Sequence, residues 1–244
     1  MTSREKTTFM PRSDREARPT PAERALVAGW ATIQWPWLLK SLWGGRKADK
    51  AALLDRLGLA QDALPHLGSW KADTIFLKRI VDHIEQAKPA QVVELGCGAT
   101  SLIIGKALER YTDGGRVDSY DQHGEFCAAT GEWLAANGLD PHIHHAPLAP
   151  ASGRWASHWY DMGAVPDRID MLVIDGPVWT FNPFIRGSAE RLFERIPVGG
   201  VILLDDGARP GERMVANRWR KAWPDFRFDL LPGPAGTLRG ERIS

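Results

Sequence analysis

Gln91–Leu108, Q-V-V-E-L-G-C-G-A-T-S-L-I-I-G-K-A-L, is the stretch from which the rest of the chain can be read. Val92, Val93 and Leu95 make a short apolar run of the kind found in a strand covered on both faces. Gly96 and Gly98 then permit a sharp turn into a helical pattern over Ser101–Arg110. A strand, a glycine turn and a helix leave unpaired backbone N–H groups facing a ligand, and glycine lets that ligand approach closely.

Glu94 selects among ligands. A dinucleotide fold places G-x-G-x-x-G at this turn and binds a pyrophosphate there. Here only the first G-x-G is present, and an acid sits beside it. That charge repels a pyrophosphate and suits a ligand with an amino group and a sulfonium, which points to S-adenosylmethionine (SAM). An NAD-type oxidoreductase on the same fold is disfavoured for the same reason.

Downstream, three more strand ends carry acids. Arg116–Tyr120 ends at Asp121, about twenty residues past the glycine turn, where a βαβ unit sets a carboxylate against ribose hydroxyls; Asp121 also suits the N-cap of a helix over Glu125–Asn137. Met171–Ile174 ends at Asp175 in V-I-D-G-P, and Val201–Leu204 ends at Asp205 and Asp206 in V-I-L-L-D-D-G. In an open parallel sheet ligands gather outside the carboxyl ends of the strands, so these acids share one rim with Glu94. Such crowding raises carboxylate pKa values unless a cation neutralises it. Two readings stay open: Asp175, Asp205 and Asp206 hold Mg²⁺, or the pair caps a turn while Asp175 positions a ligand.

The ordered set E-L-G-C-G, Y-D, V-I-D-G-P and V-G-G-V-I-L-L-D-D resembles the class I SAM-dependent methyltransferases, in the small-molecule O-methyltransferase branch, from about Lys71 to the C-terminus. The resemblance implies an α/β fold: a Rossmann-like, doubly wound, mostly parallel seven-stranded sheet with helices on both faces and a final antiparallel hairpin from Arg227–Leu231 and Thr237–Arg239. It implies cofactor contacts at Glu94, Gly96, Cys97, Gly98, Ser101, Asp121, Gln122, Ala146, Pro147, Asp175 and Gly176. The acid that many relatives carry after the third strand is missing from His142–Leu148, leaving His145, Ala146 or a backbone group beside the adenine. The metal-dependent catechol type is approached through Asp175, Asp205 and Asp206, without a recognisable lysine near Asp175.

The expected reaction is methyl transfer to a hydroxyl of a small molecule such as a sugar, a phenol or a natural-product scaffold. With Mg²⁺ the metal activates the hydroxyl; without it, Asp175 or His145 takes the proton. A metal-independent N- or carboxyl-methyltransferase is the alternative. Trp179, Phe181 and Arg186 in the loop after Asp175 read as a substrate wall with an anionic handle, or Arg186 pairs with Glu190; Arg209 invites the same two readings. Trp70, in a Gly-x-Trp loop, borders the pocket or covers the sheet edge. His142 and His144 share a strand face, too little for a metal site.

Three segments are expected: a polar tail over 1–23, a Trp-rich helical extension over 24–70, and the catalytic domain over 71–244. The extension carries Trp30, Trp35, Trp37 and Trp43, and Gln34, Pro36 and Lys40 argue against a membrane span. Core packing, a homodimer contact, a membrane-surface contact or a purely docking module remain open for it. A formal net charge of +1 gives no pull toward nucleic acid, and no motif for a flipped base is present. Two cysteines and no secretory signal pattern lead us to expect a cytoplasmic setting.

Overall fold

A computed structural model describes residues 19–64, 66–68, 71–155 and 157–244. The tail expected over 1–23 lies largely outside these, as does Trp70. Its last residues, however, are helical. Helix α1, Pro21–Ser41, begins on a capping box in which Thr20 accepts the Glu23 N–H and the Glu23 carboxylate accepts the Thr20 N–H. Pro21 at the first turn lacks the N–H that such a position leaves unpaired, so the proline that suggested disorder starts the helix instead.

Two short helices follow, α2 (Lys47–Arg56) and α3 (Thr74–Ala87), the latter capped by Asp73, whose carboxylate accepts the Phe76 N–H at 2.8 Å. The core sheet then builds in order: β1 (Gln91–Leu95), α4 (Ala99–Tyr111), β2 (Arg116–Asp121), α5 (Gly124–Ala136) and β3 (His142–His145). A small antiparallel hairpin, β4 (Leu148–Ala151) with β5 (Ser157–Tyr160), was not anticipated. β6 (Met171–Ile174), a run of 3₁₀ turns over Ile185–Arg195, β7 (Val201–Asp205), α6 (Pro210–Ala222), β8 (Phe226–Leu231) and β9 (Thr237–Arg242) complete the chain.

The seven-stranded sheet has the order β3-β2-β1-β6-β7-β9-β8, with β9 antiparallel to β7 and to β8 and the other five strands parallel. Strand order reverses between β1 and β6, which makes their carboxyl ends the crevice of a doubly wound sheet. Alternation along the strands feeds two cores. Val92, Met171, Val173, Val201 and Leu203 pack with α2, α3 and α4 on one face. Val93, Leu95, Leu172, Ile174, Ile202 and Leu204 pack with the hairpin, the 3₁₀ segment and α6 on the other.

α1 lies against the second side. Trp30 meets Phe184 edge-on at 4.9 Å, and the Glu23 carboxylate accepts the Ser157 hydroxyl of β5. Core packing does not account for all the extension's tryptophans: Trp35 is 57% and Trp43 is 43% exposed. No described helix is long and apolar enough to cross a membrane.

Candidate active site

The glycine turn takes its shape from main-chain contact across the crevice. Gly96 has φ +93°, and a Cβ there would stand 2.7 Å from the Gly176 nitrogen, so only glycine lets the β1 and β6 ends meet in this way. The N–H groups of Asp175 and Gly176 both donate to the Leu95 carbonyl. Gly98, at φ +144°, is the N-cap of α4, and its N–H is accepted by the Ser101 hydroxyl.

Glu94 lies beneath this turn rather than facing its ligand side. It shares the Val92 face of β1 and is fully buried. Its Oε2 accepts the hydroxyls of Ser101 at 2.6 Å and Ser119 at 2.5 Å, Ser119 being its cross-strand partner on β2. Burial pushes its pKa up to about 7, with the two serine hydroxyls opposing the rise. The chain Glu94–Ser101–Gly98 thus fixes the turn from behind. The other Glu94 oxygen, Oε1, has no hydrogen-bond partner among the described residues.

Asp121 is on the crevice side of the turn. Its carboxylate accepts the Cys97 N–H at 3.3 Å and the His123 N–H at 2.9 Å, and burial raises its pKa. It does not cap α5; His123 occupies that position. Beside it, Gln122 is buried and its Oε1 has no hydrogen-bond partner among the described residues. Ala146 donates its N–H to the Asp121 carbonyl, and the Pro147 carbonyl accepts the Asp161 N–H. An acid, an unpaired carbonyl oxygen and two glycines with positive φ therefore line the crevice edge. This donor and acceptor set fits a ribose diol and a purine.

His145 stands at the Asp121–Gln122 end of the rim, its Nε2 3.1 Å from the Gln122 carbonyl, on the side where it was expected beside the adenine. β3 is three strand spacings, roughly 14 Å, from β6, so Asp175 is the nearer of the two expected proton acceptors to the β6 end. His144 pairs with Asp118 at 2.9 Å and stacks on Tyr120.

On the other side of Asp175 opens a cleft of about 240 Å³, lined by Leu38, Ser41 and Leu42 of α1, Lys71, Asp73, Asp175, Val178, Trp179, Thr180, Arg186, Asp205, Asp206, Arg209 and Ala235. Lys71 and Asp73 come from the loop before α3; neither was read from the sequence as part of a pocket. Trp179 is in the lining as expected. Phe181 is not: it is 7% exposed and packs in the second core beside His158.

Asp175, Asp205 and Asp206 do converge, each offering an oxygen within 4.8 Å of the others. Two arginines already engage them. Arg186 reaches Asp175 Oδ1 at 3.4 Å and Asp206 Oδ2 at 3.2 Å, and it donates to the carbonyls of Pro177, Asp175 and Asp205. Arg209 pairs with the same Asp206 oxygen, and both guanidiniums approach Glu212 Oε1 at 3.8 and 3.9 Å. Their side chains are 6% exposed, so neither is a free anionic handle, and Glu190 pairs with Arg154 instead of Arg186. Mg²⁺ needs open oxygens in an octahedron at about 2.0–2.1 Å. Here the Asp206 oxygen and one of Asp175 face guanidinium cations, which compete with a divalent ion for these acids. Burial raises the pKa of Asp175 and, with the Asp175 charge added, lifts that of Asp205 well above the usual range.

Residues 93–207 match a family model described as a methyltransferase domain. The fold is that of solved methyltransferases at low identity. The O-methyltransferase TomG of Streptomyces achromogenes, solved with SAM, aligns at TM-score 0.52 and 13% identity over 89% of this chain and 98% of its own. A Bacillus cereus O-methyltransferase, solved with SAH, aligns at 0.54 and 12% over 88% and 99%. A Podospora anserina methyltransferase, also with SAH, aligns at 0.53 and 12% over 94% and 99%. No curated protein matches the sequence at a significant level. Over 93–207 the chain is thus similar to a methyltransferase domain, carried on a Rossmann-like sheet reversing between β1 and β6.

Proposed function

We propose that the chain is a SAM-dependent methyltransferase that methylates a hydroxyl of a small molecule without a metal. The observation that carries this is the double position of Asp175. Its backbone belongs to the glycine crevice, and its side chain lines the 240 Å³ cleft. Two ligands, one on each side, therefore come together at this residue.

On the crevice side the backbone of Gly96, Cys97 and Gly98 would hold the methyl donor, with Asp121 for its ribose and Gln122, Ala146 and Pro147 beside its base. Bound there, SAM supplies an electrophilic methyl group. On the cleft side Leu38, Leu42, Val178 and Trp179 give an apolar wall, and Lys71, Asp73 and the acids give polar contacts. That mixture suits a compact hydroxylated ring, a sugar or a phenol, more than a charged acceptor.

Displacement at a methyl group depends chiefly on holding the nucleophile in line, so the walls carry most of the work. A hydroxyl must also lose its proton. Lys71 has its pKa lowered by burial, which moves an amine toward the range of a general base. Asp175 is the second acceptor, and the Arg186–Arg209 pair holds the acids in place.

The test is a methyl-transfer assay with radiolabelled SAM against panels of sugars and phenols, with and without EDTA, alongside calorimetry with SAH and NAD. Saturable heat with SAH, none with NAD, and label in a hydroxylated acceptor support the reading. Binding of NAD alone overturns it.

A further inference from the structure

Tyr160 is the last residue of β5, on the hairpin that no part of the sequence reading anticipated. Its side chain crosses from the second core into the crevice between β1 and β6. A Cβ added to Gly176 would collide with its hydroxyl, and Gly176 itself packs on Gly96. Burial, with the charges of Asp121 and Asp175 added and Arg186 opposing them, pushes the phenol's pKa well up. Although the residue is only 5% exposed, its hydroxyl has no hydrogen-bond partner among the described residues.

A buried hydroxyl without a partner is costly, and a phenylalanine would fill the same space without that cost. The ring has packing reasons to be there, meeting Trp159 at 5.2 Å, but the oxygen has none. Burial and the nearby carboxylates keep it protonated, and none of the acceptors among the described residues takes its O–H. What remains is an O–H donor aimed into the crevice where a doubly wound sheet takes its ligand.

We propose that Tyr160 is a positioning residue for the methyl donor, its hydroxyl donating a hydrogen bond to an oxygen of the molecule bound over Gly96 and Gly176. This rests on the proposed SAM-dependent function. It adds a contact from outside the strand-end motifs, carried in by the hairpin. The hairpin is tied to α1 through Ser157 and Glu23, so the donor site and the cleft wall share a support.

The experiment compares the full-length protein with Tyr160→Phe, measuring SAH affinity by calorimetry, melting temperature without ligand, and KM for SAM and for the acceptor. One buried hydrogen bond lost to the ligand should weaken SAH binding about tenfold, near 1.4 kcal/mol. The KM for SAM should rise similarly while the acceptor's KM stays put. The ligand-free melting temperature should hold or rise, since an unpaired hydroxyl has been removed. An unchanged SAH affinity in the variant overturns the proposal, and so does a drop in ligand-free melting temperature, which would mean that the hydroxyl has a partner within the protein. Failure of the unaltered protein to bind SAH is a different result and counts against the methyltransferase reading itself.

Discussion

Glu94 shows how much of a residue's setting lies outside its own motif. The acid at the end of β1 was plain in the sequence; the two hydroxyls that capture it were not, because Ser119 comes from another strand and meets it only through the parallel register. Its elevated pKa, about 7 against 4.5, gives a signed prediction. The folded state holds the proton more tightly, so the stability this group contributes is fully present below pH 4.5 and is lost as pH rises through about 7. A shift of that size corresponds to about 3 kcal/mol. Glu94→Gln should flatten this dependence, and urea denaturation at pH 5 and pH 8 checks it; a parent protein equally stable at both pH values contradicts the assignment. Asp175→Asn should cut kcat roughly a hundredfold, the scale of a lost acid–base or positioning group, while leaving SAH affinity nearly intact. Turnover unaffected by this change and by Asp205→Asn together takes the acids out of the reaction.

At the scale of elements, the strands and helices with a clear period were legible. β1, β6 and β7 announced themselves by apolar runs beside acids, β2 by its place before Asp121, and the terminal hairpin fell where expected. The β4–β5 hairpin and the 3₁₀ turns over Ile185–Arg195 did not. β4 contains Pro150, which argues against a strand, and 3₁₀ turns repeat every three residues, a period that matches neither template. α1 was foreseen as a helix, but its service as a cleft wall depends on contacts between distant segments. Leu38→Ala and Leu42→Ala should therefore raise the acceptor's KM severalfold and spare SAH binding; equal losses in both would place α1 elsewhere in the mechanism. α6 anchors the second core through Trp219, which is fully buried, meets Phe193 at 4.9 Å and donates its indole N–H to the Gly187 carbonyl at 3.1 Å. Trp219→Ala should cost about 3–5 kcal/mol of unfolding free energy, read by chemical denaturation.

For the molecule as a whole, the doubly wound sheet and its rim of acids were legible because buried parallel strands leave a strong sequence trace and their ligands gather at one edge. The fate of those acids was not legible. Whether three carboxylates hold a cation or pair with arginines depends on Arg186 and Arg209 folding back from separate segments onto Asp206. The arginine network predicts that EDTA leaves the methyl-transfer rate unchanged and that added Mg²⁺ brings no gain. A rate that falls by half or more with the chelator and recovers with magnesium restores the metal reading.

The helix that walls the cleft is drawn from the beginning of the chain, whereas the crevice is assembled from strand ends far downstream. One wall of the cleft is thus written in a passage of the polypeptide distant from the one that shapes the crevice. Exchanging the leading helix is then a route to altered acceptor choice that leaves the strand ends in place.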